Sequence, residues 1–320
     1  MNSSKTNKSN QCQNRCFFYS GWAFSLVLLL VVGINNCTPK KIASDLTAQI
    51  MAGGAPSFEM ESDVEVAETT ALTMVKMLEA FQYDNPNNKT LNALLARSYA
   101  NYTQGFLEDK ILKYKNGDQN EYNKYLTRAK NFYLKGKEFG VRALSTNASF
   151  KKNLDKDLDS FQRALKGFGR GDVPALFWTA MDWGSYINLS KDSPAAIAEF
   201  PKVEAIMQRV MVLDENYFYA GPHLFFAFSY GSRPKMFGGD LNKSKEHFEK
   251  AISAYQGKFL MAKLFYAQIY AVQSLDKALF EQLLNEVIQA DASVLPEARL
   301  ANELSKLRAK WLLENEANFF

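Results

Sequence analysis

The sequence predicts an all-α fold, an array of paired antiparallel helices numbering about ten to twelve. Two observations carry that expectation. Segment after segment places its apolar residues three and four apart, the spacing of one helix face. No stretch of the chain alternates with the period of two that a strand requires.

At 320 residues and 47% hydrophobic content the chain can bury a sizeable core. Its formal charge of +4 is mild, and part of it is local, with Lys5, Lys8 and Arg15 near the start and Lys40 and Lys41 soon after. That is no nucleic-acid footprint, which needs a strongly basic face.

Taken in order, residues 1–36 read as an export signal: positive residues precede the uncharged run Gly21–Ile34. The run is shorter than the roughly 20 residues of a spanning helix. Cys37 follows it at once, in the manner of a bacterial lipobox, with Ile34 suited to the third position before the cysteine. Asn35 and Asn36 stand where small residues are usual. The expectation is a lipid on Cys37, which becomes the mature amino terminus. An uncleaved signal anchor and an ordinary signal peptide cut nearby are the alternatives. The other two cysteines, Cys12 and Cys16, leave with the leader, so neither a disulfide nor a thiolate metal site is expected. Residues 38–57, with Gly53, Gly54 and Pro56, read as a flexible tether, and residues 58–320 as one helical domain.

In that domain Ser62 and Glu65 suggest a capping box. Val64, Ala67, Ala71, Met74, Val75, Leu78 and Phe81 then follow along one face, and Asn85-Pro86 ends the helix. Thr90 opens a second helix through Leu91, Leu95, Tyr99 and Phe106, and Asn116-Gly117 turns the chain. A longer helix covers 122–144, and a polar segment follows. The helix holding Phe161 and Leu165 ends in Gly167-Phe168-Gly169. No strand precedes those glycines, so they are a loop and not a dinucleotide fingerprint. Asp172 and Pro174 start the next helix, and Asp192 and Pro194 the one after.

Tyr217–Asp240 is the most distinctive stretch. Phe225, Phe226, Phe228 and Tyr230 leave no polar face, so a helix here is buried all round. Gly231, Pro234, Gly238 and Gly239 then make an irregular loop holding Arg233, Met236 and Phe237. The stretch reads either as core plus connection or as the wall of a cavity. Helices over 243–255, 260–273, 276–291 and 296–311 complete the chain.

Second members of successive pairs share a spacing of four and three: Gly136, Gly140 and Ala143; Val203, Met207 and Val210; Ser244, Phe248 and Ala251; Phe280, Leu284 and Val287. Tetratricopeptide repeats pack their second helices through residues at this spacing. The distances between repeats are irregular, so the expectation is a tetratricopeptide-like array with insertions.

The landmarks SDVEVAETTALTMVKMLEAF, LLARSYANYTQGFLED, VPALFWTAMDWGSYINLSKD and the long run through GPHLFFAFSYGSRPKMFGGD to FLMAKLFYAQIY follow one another in a recognisable order. Over roughly residues 57–290 the chain resembles the lipoprotein T-component associated with periplasmic TRAP transporters. The RPKMFGGD loop is the most specific part. The resemblance implies a periplasm-facing lipoprotein of a bacterium, held at the membrane through its lipid alone, in a homo-trimer around pores. The implied partner is the transporter's solute-binding protein, which carries organic acids or other small, hydrophobic ligands. Which of the two membranes holds the lipid is left open.

Residue chemistry does not favour catalysis, and neither cofactor nor metal is expected. His223 and His247 are the chain's two histidines, so zinc of the usual nitrogen and sulfur ligation is not expected. His223, after Gly221-Pro222, fits a capping or hydrogen-bonding role better than a ligand role. Ala227–Gly231 mimics a nucleophile elbow but lies late in a helix. Lys243-Ser244 lacks the glycines of a phosphate loop. Trp178, Trp183, Tyr186, Tyr217, Tyr219, Phe226 and Tyr230 would chiefly pack the core, though indole and phenol tips suit a wet cleft. Arg233 would either orient a carboxylate there or brace the loop against a helix end. The leading expectation is an accessory uptake subunit with Arg233, Met236, Phe237 and His223 at the ligand or partner surface and Trp178, Trp183, Tyr217 and Tyr230 lining a cavity. The alternative is a generic envelope scaffold that touches no small molecule.

Overall fold

The computed structural model describes residues 39–320, in which thirteen helices and no strand are found. Cys37 and the leader lie outside the described residues. The helices are α1 (Pro39–Glu59), α2 (Val64–Asp84), α3 (Lys89–Tyr102, continuing through Glu108–Tyr114), α4 (Gln119–Leu144), α5 (Ala148–Asn153), α6 (Leu158–Leu165) and α7 (Val173–Leu189). They continue with α8 (Pro194–Ala198, running into Phe200–Leu213), α9 (Tyr217–Ser232), α10 (Leu241–Ala254), α11 (Leu260–Phe265 and onward through Ala271), α12 (Lys277–Gln289) and α13 (Arg299–Glu314).

The four-and-three spacing marks the buried faces. Val203, Met207 and Val210 of α8, Ser244 and Phe248 of α10, and Phe280, Leu284 and Val287 of α12 are wholly inaccessible to solvent. In α4 the same spacing brings backbone against backbone. A Cβ on Gly140 would stand 3.0 Å from the Thr179 Cα on α7, so only glycine admits so close a crossing. The core that results runs through α3, α4, α7 and α8, with a second body of apolar side chains over α9 to α13.

Helix starts are set by side-chain caps. Asp63, and not Ser62, caps α2, its carboxylate accepting from the Glu65 and Val66 amides at 3.0 and 3.1 Å. Asn88 caps α3, Asp118 caps α4 and Asp240 caps α10. The polar segment after α4 includes the short helix α5, capped by Asn147, and the expected helix holding Phe161 and Leu165 is α6, capped by Asp157.

The segment expected to be a tether is helix α1. Ser44 and Ala48 are buried against α2, the Ser44 hydroxyl donates to the Phe81 carbonyl at 3.1 Å, and Asp45 accepts from the Asn85 and Asn88 side chains. Docking of this face outweighs the poor helix propensity of Gly53, Gly54 and Pro56, since packing routinely overrides propensity.

Two wide turns and one left-handed turn interrupt this regularity. Thr103–Leu107 in α3 and Tyr266–Ala271 in α11 are π-helical. Phe218, Tyr219 and Ala220 hold φ of 47, 58 and 58°. Three successive non-glycine residues in that region are costly, at about 1–2 kcal/mol each. The aromatic stretch is therefore a left-handed turn followed by a right-handed helix, which Pro222 begins in the position that proline favours.

Candidate functional site

The left-handed turn forms a wall of a cleft. The cleft opens to solvent at its mouth and has a cavity volume of about 120 Å³, close to that of apolar cavities of about 150 Å³ that take a benzene-sized ligand. Met51, Ala55 and Phe58 of α1 form one side, and Ala71, Met74 and Leu78 of α2 another. Leu94, Tyr102, Gly105 and Phe106 of α3, Leu300 and Leu304 of α13, and Phe218, Tyr219 and Phe259 complete the lining. The lining is apolar except for a few groups, chiefly Arg97, Glu59, Ser98, Asn101 and Glu297.

Packing holds the strained turn in place. The Phe218 ring meets Trp178 edge-on at 4.6 Å, and Tyr219 stacks on Phe259 at 4.5 Å. The Tyr219 hydroxyl donates to the Glu297 carbonyl at 2.7 Å. Burial, then the charges of Glu59 and Glu297, push the Tyr219 phenol above its ordinary range, so it stays a donor. Gly221 follows because a Cβ there would fall 2.5 Å from the Phe177 ring. Arg97 lies 5.5 Å from the Phe218 ring centre and pairs with Glu59, which ties α3 to the end of α1 across the cleft.

The floor is the π-helical turn of α3. The Gln104 carbonyl, within that turn, accepts from the Arg308 guanidinium at 2.8 Å. Arg308 also pairs with Asp109, and neighbouring Glu108 accepts from the Tyr133 hydroxyl at 2.7 Å. Burial raises both carboxyl groups above their usual range, and the Arg308 charge opposes that rise. The cleft floor is thus braced from behind by one arginine.

Of the residues expected to line a cavity, Trp178, Trp183, Tyr217 and Tyr230 do not line this cleft. Trp178 is core, one layer behind Phe218. Trp183 is buried, its indole N–H donating to Glu199 at 2.7 Å while Lys137 lies over its ring at 4.0 Å. Tyr217 packs edge-on against Phe177, and Tyr230 stacks on both Phe226 and His247, which also touch each other. Trp178 and Tyr217 thus pack between α7 and α9, Tyr230 between α9 and α10, and Trp183 against α4 and α8, where packing gains more than a wet cleft would.

Arg233 takes the bracing role. Its Nε donates to the Ser229 carbonyl at 2.9 Å, its Nη2 to Glu204 at 2.9 Å, and its guanidinium lies over Phe200 at 4.8 Å. The loop beyond it needs glycine, because a Cβ on Gly239 would fall 1.8 Å from the Arg233 carbonyl oxygen. Held this way, the loop presents Met236 and Phe237 to solvent, 82% and 66% exposed. His223 is buried and shares a hydrogen bond with His247. Arg233, Met236 and Phe237 thus form one feature, and the cleft is another.

Sequence reasoning missed Arg97, Glu59 and Phe218. The one local signal near them was Gly221-Pro222, two residues past Tyr219, where a new helix can begin.

Among the described residues no helix is long and apolar enough to cross a membrane, and no three His, Cys, Asp or Glu side chains converge as metal ligands. In comparisons with known proteins, the family described as TRAP transporter T-component matches residues 60–320. An uncharacterized protein of Treponema pallidum (strain Nichols) is 22% identical over 268 residues, covering 82% of this chain and 82% of its own.

Proposed function

Since the chain belongs to the TRAP transporter T-component family, an accessory component of a bacterial-envelope uptake system, we propose that it is a lipid-anchored, periplasm-facing subunit that engages the system's solute-binding protein and passes a small ligand through its cleft. The observation that carries this reading is the cleft itself. Its apolar lining would take a hydrophobic ligand or the hydrocarbon part of an organic acid. Three successive positive-φ residues form one wall, and backbone strain of this kind clusters at ligand sites. The residue inventory favours carriage over catalysis.

Met236 and Phe237 are the natural partner contacts. Two large apolar side chains on a glycine-bounded loop, fixed from beneath by Arg233, suit insertion into a partner's surface. Assembly as a trimer belongs to the same reading.

The test is light scattering of the detergent-solubilised full chain, alone and with the cognate solute-binding protein, together with binding of anilinonaphthalene sulfonate as an apolar probe. A trimer that binds the partner, and loses the probe when Ala301→Trp fills the cleft, is expected. A chain indifferent to the partner overturns the transport reading. Partner binding with no effect of Ala301→Trp on the probe leaves an assembly scaffold that handles no small molecule.

A further inference from the structure

Helix α1 carries two different faces. The inner face holds buried Ser44 and Ala48 and then Met51, Ala55 and Phe58 at the cleft. The outer face holds Ile42, Leu46 and Ile50, which are 54%, 57% and 65% exposed. Their spacing of four sets them in one row about 12 Å long. Asp45 is the sole acid between positions 41 and 57, and it is turned inward to Asn85 and Asn88. The outer face therefore presents apolar side chains and no carboxylate.

The position of the row in the chain indicates what covers it. Cys37 precedes Ile42 by five residues, a reach of at most about 17 Å. A lipid on Cys37 would hold that residue at the headgroups and Ile42 close by. Lys40 and Lys41 fall between the two, where cations suit an anionic membrane surface. Exposed Tyr83 lies two residues beyond Phe81, whose carbonyl accepts the Ser44 hydroxyl, and tyrosine suits the same interfacial depth.

We infer that Ile42, Leu46 and Ile50 dock on the bilayer that holds acylated Cys37, so that α1 lies along the membrane surface and its inner face keeps the cleft beside the headgroups. This rests on the reading of Cys37 as a lipid anchor. The body is then held in a fixed pose over the membrane, and the cleft opens where membrane subunits can receive its ligand.

The test uses the full chain, with Cys12→Ser and Cys16→Ser, expressed with lipoprotein processing and reconstituted into phosphatidylethanolamine–phosphatidylglycerol vesicles. An environment-sensitive fluorophore is placed on Leu46→Cys, or on Val212→Cys of α8, both exposed sites. Brominated acyl chains are expected to quench the label at 46 roughly threefold more than the label at 212, as for a side chain buried at the acyl boundary. Protein that floats with the vesicles while its label at 46 is quenched no more than that at 212 keeps the anchor and overturns the docking. Excimer emission from pyrene at 46 assigns the row to a second copy and also overturns it. Failure to float removes the anchor reading, and the inference with it.

Discussion

His223 and His247 share one hydrogen bond, Nδ1 to Nδ1 at 2.9 Å, and in doing so join α9 to α10. One ring must donate and the other accept, so at least one imidazole is neutral. The second nitrogen of His223 faces Glu215 at 3.4 Å. Lys243, Glu246 and Lys250 supply the other charges near the pair.

This pair makes stability sensitive to acid. Burial lowers the affinity of both rings for a proton, and His247, opposed further by His223 and Lys250, falls to about 4. Between that value and the ordinary histidine value of about 6.5, the unfolded chain binds more protons than the folded one. Stability present at pH 7 is therefore lost as pH falls through this window. Calorimetric midpoints are expected to drop less steeply from pH 7 to 5 in His247→Gln than in the parent. Parallel slopes would remove the pair as the cause.

A second prediction concerns the crossing of α4 and α7. Asp182 is fully buried with no hydrogen-bond partner, and burial drives its carboxyl well above the usual range. A Cβ on Gly136 would stand 2.3 Å from the Asp182 Cγ. Gly136→Ala is expected to cost about 1–3 kcal/mol by overpacking. Asp182→Ala in that background should restore part of the loss, a coupling that urea midpoints of the double-mutant cycle measure. Additive effects would mean that the helices separate instead. The sign with pH is opposite to that of the histidines. The unfolded carboxyl ionises above about 3.9 while the folded one keeps its proton, so this group costs stability as pH rises.

Gly136 also shows why the fold was legible. Residues at four-and-three spacing must face a neighbour, so Gly136, Gly140 and Phe248 announce buried faces from local pattern alone. The cleft has no local pattern. Its lining comes from residues as far apart as Met51 and Leu304, and no helix shows a distinctive face. Phe218 and Tyr219 read as helix because aromatic side chains do not advertise a left-handed backbone. α1 read as a tether because Gly53, Gly54 and Pro56 are visible in sequence, whereas the docking of Ser44 and Asp45 onto α2 is not. Arg233 had two readings, and the positions of the Ser229 carbonyl, Glu204 and Phe200 distinguish them.

The left-handed turn yields a third prediction. Ala220 is buried, so Ala220→Gly gives up a methyl worth about 0.8 kcal/mol. Glycine also releases about 1–2 kcal/mol of left-handed strain, so the net change should lie near zero or be favourable. Ala227→Gly, in the right-handed part of the same helix, loses a methyl and helix propensity together and should cost about 1–2 kcal/mol. Denaturant midpoints of the two variants compare them directly. Equal losses would show that residue 220 bears no strain.

The last prediction separates the brace from the surface it supports. Arg233→Ala removes the bonds to Ser229 and Glu204 together with the stacking on Phe200. These contacts are partly screened, so the expected loss is modest, about 1 kcal/mol of stability. Weaker binding of the solute-binding protein should accompany it, because the loop is no longer fixed. Phe237→Asp should leave stability within about 0.5 kcal/mol, since the ring is largely exposed. Its effect on partner affinity should be larger than that of Arg233→Ala, because a carboxylate replaces the contact itself and must be desolvated at the interface. Calorimetric titration of the two variants against the partner, beside their melting curves, tests that order. An unchanged affinity in Phe237→Asp would place the partner elsewhere and leave Arg233 as a structural brace.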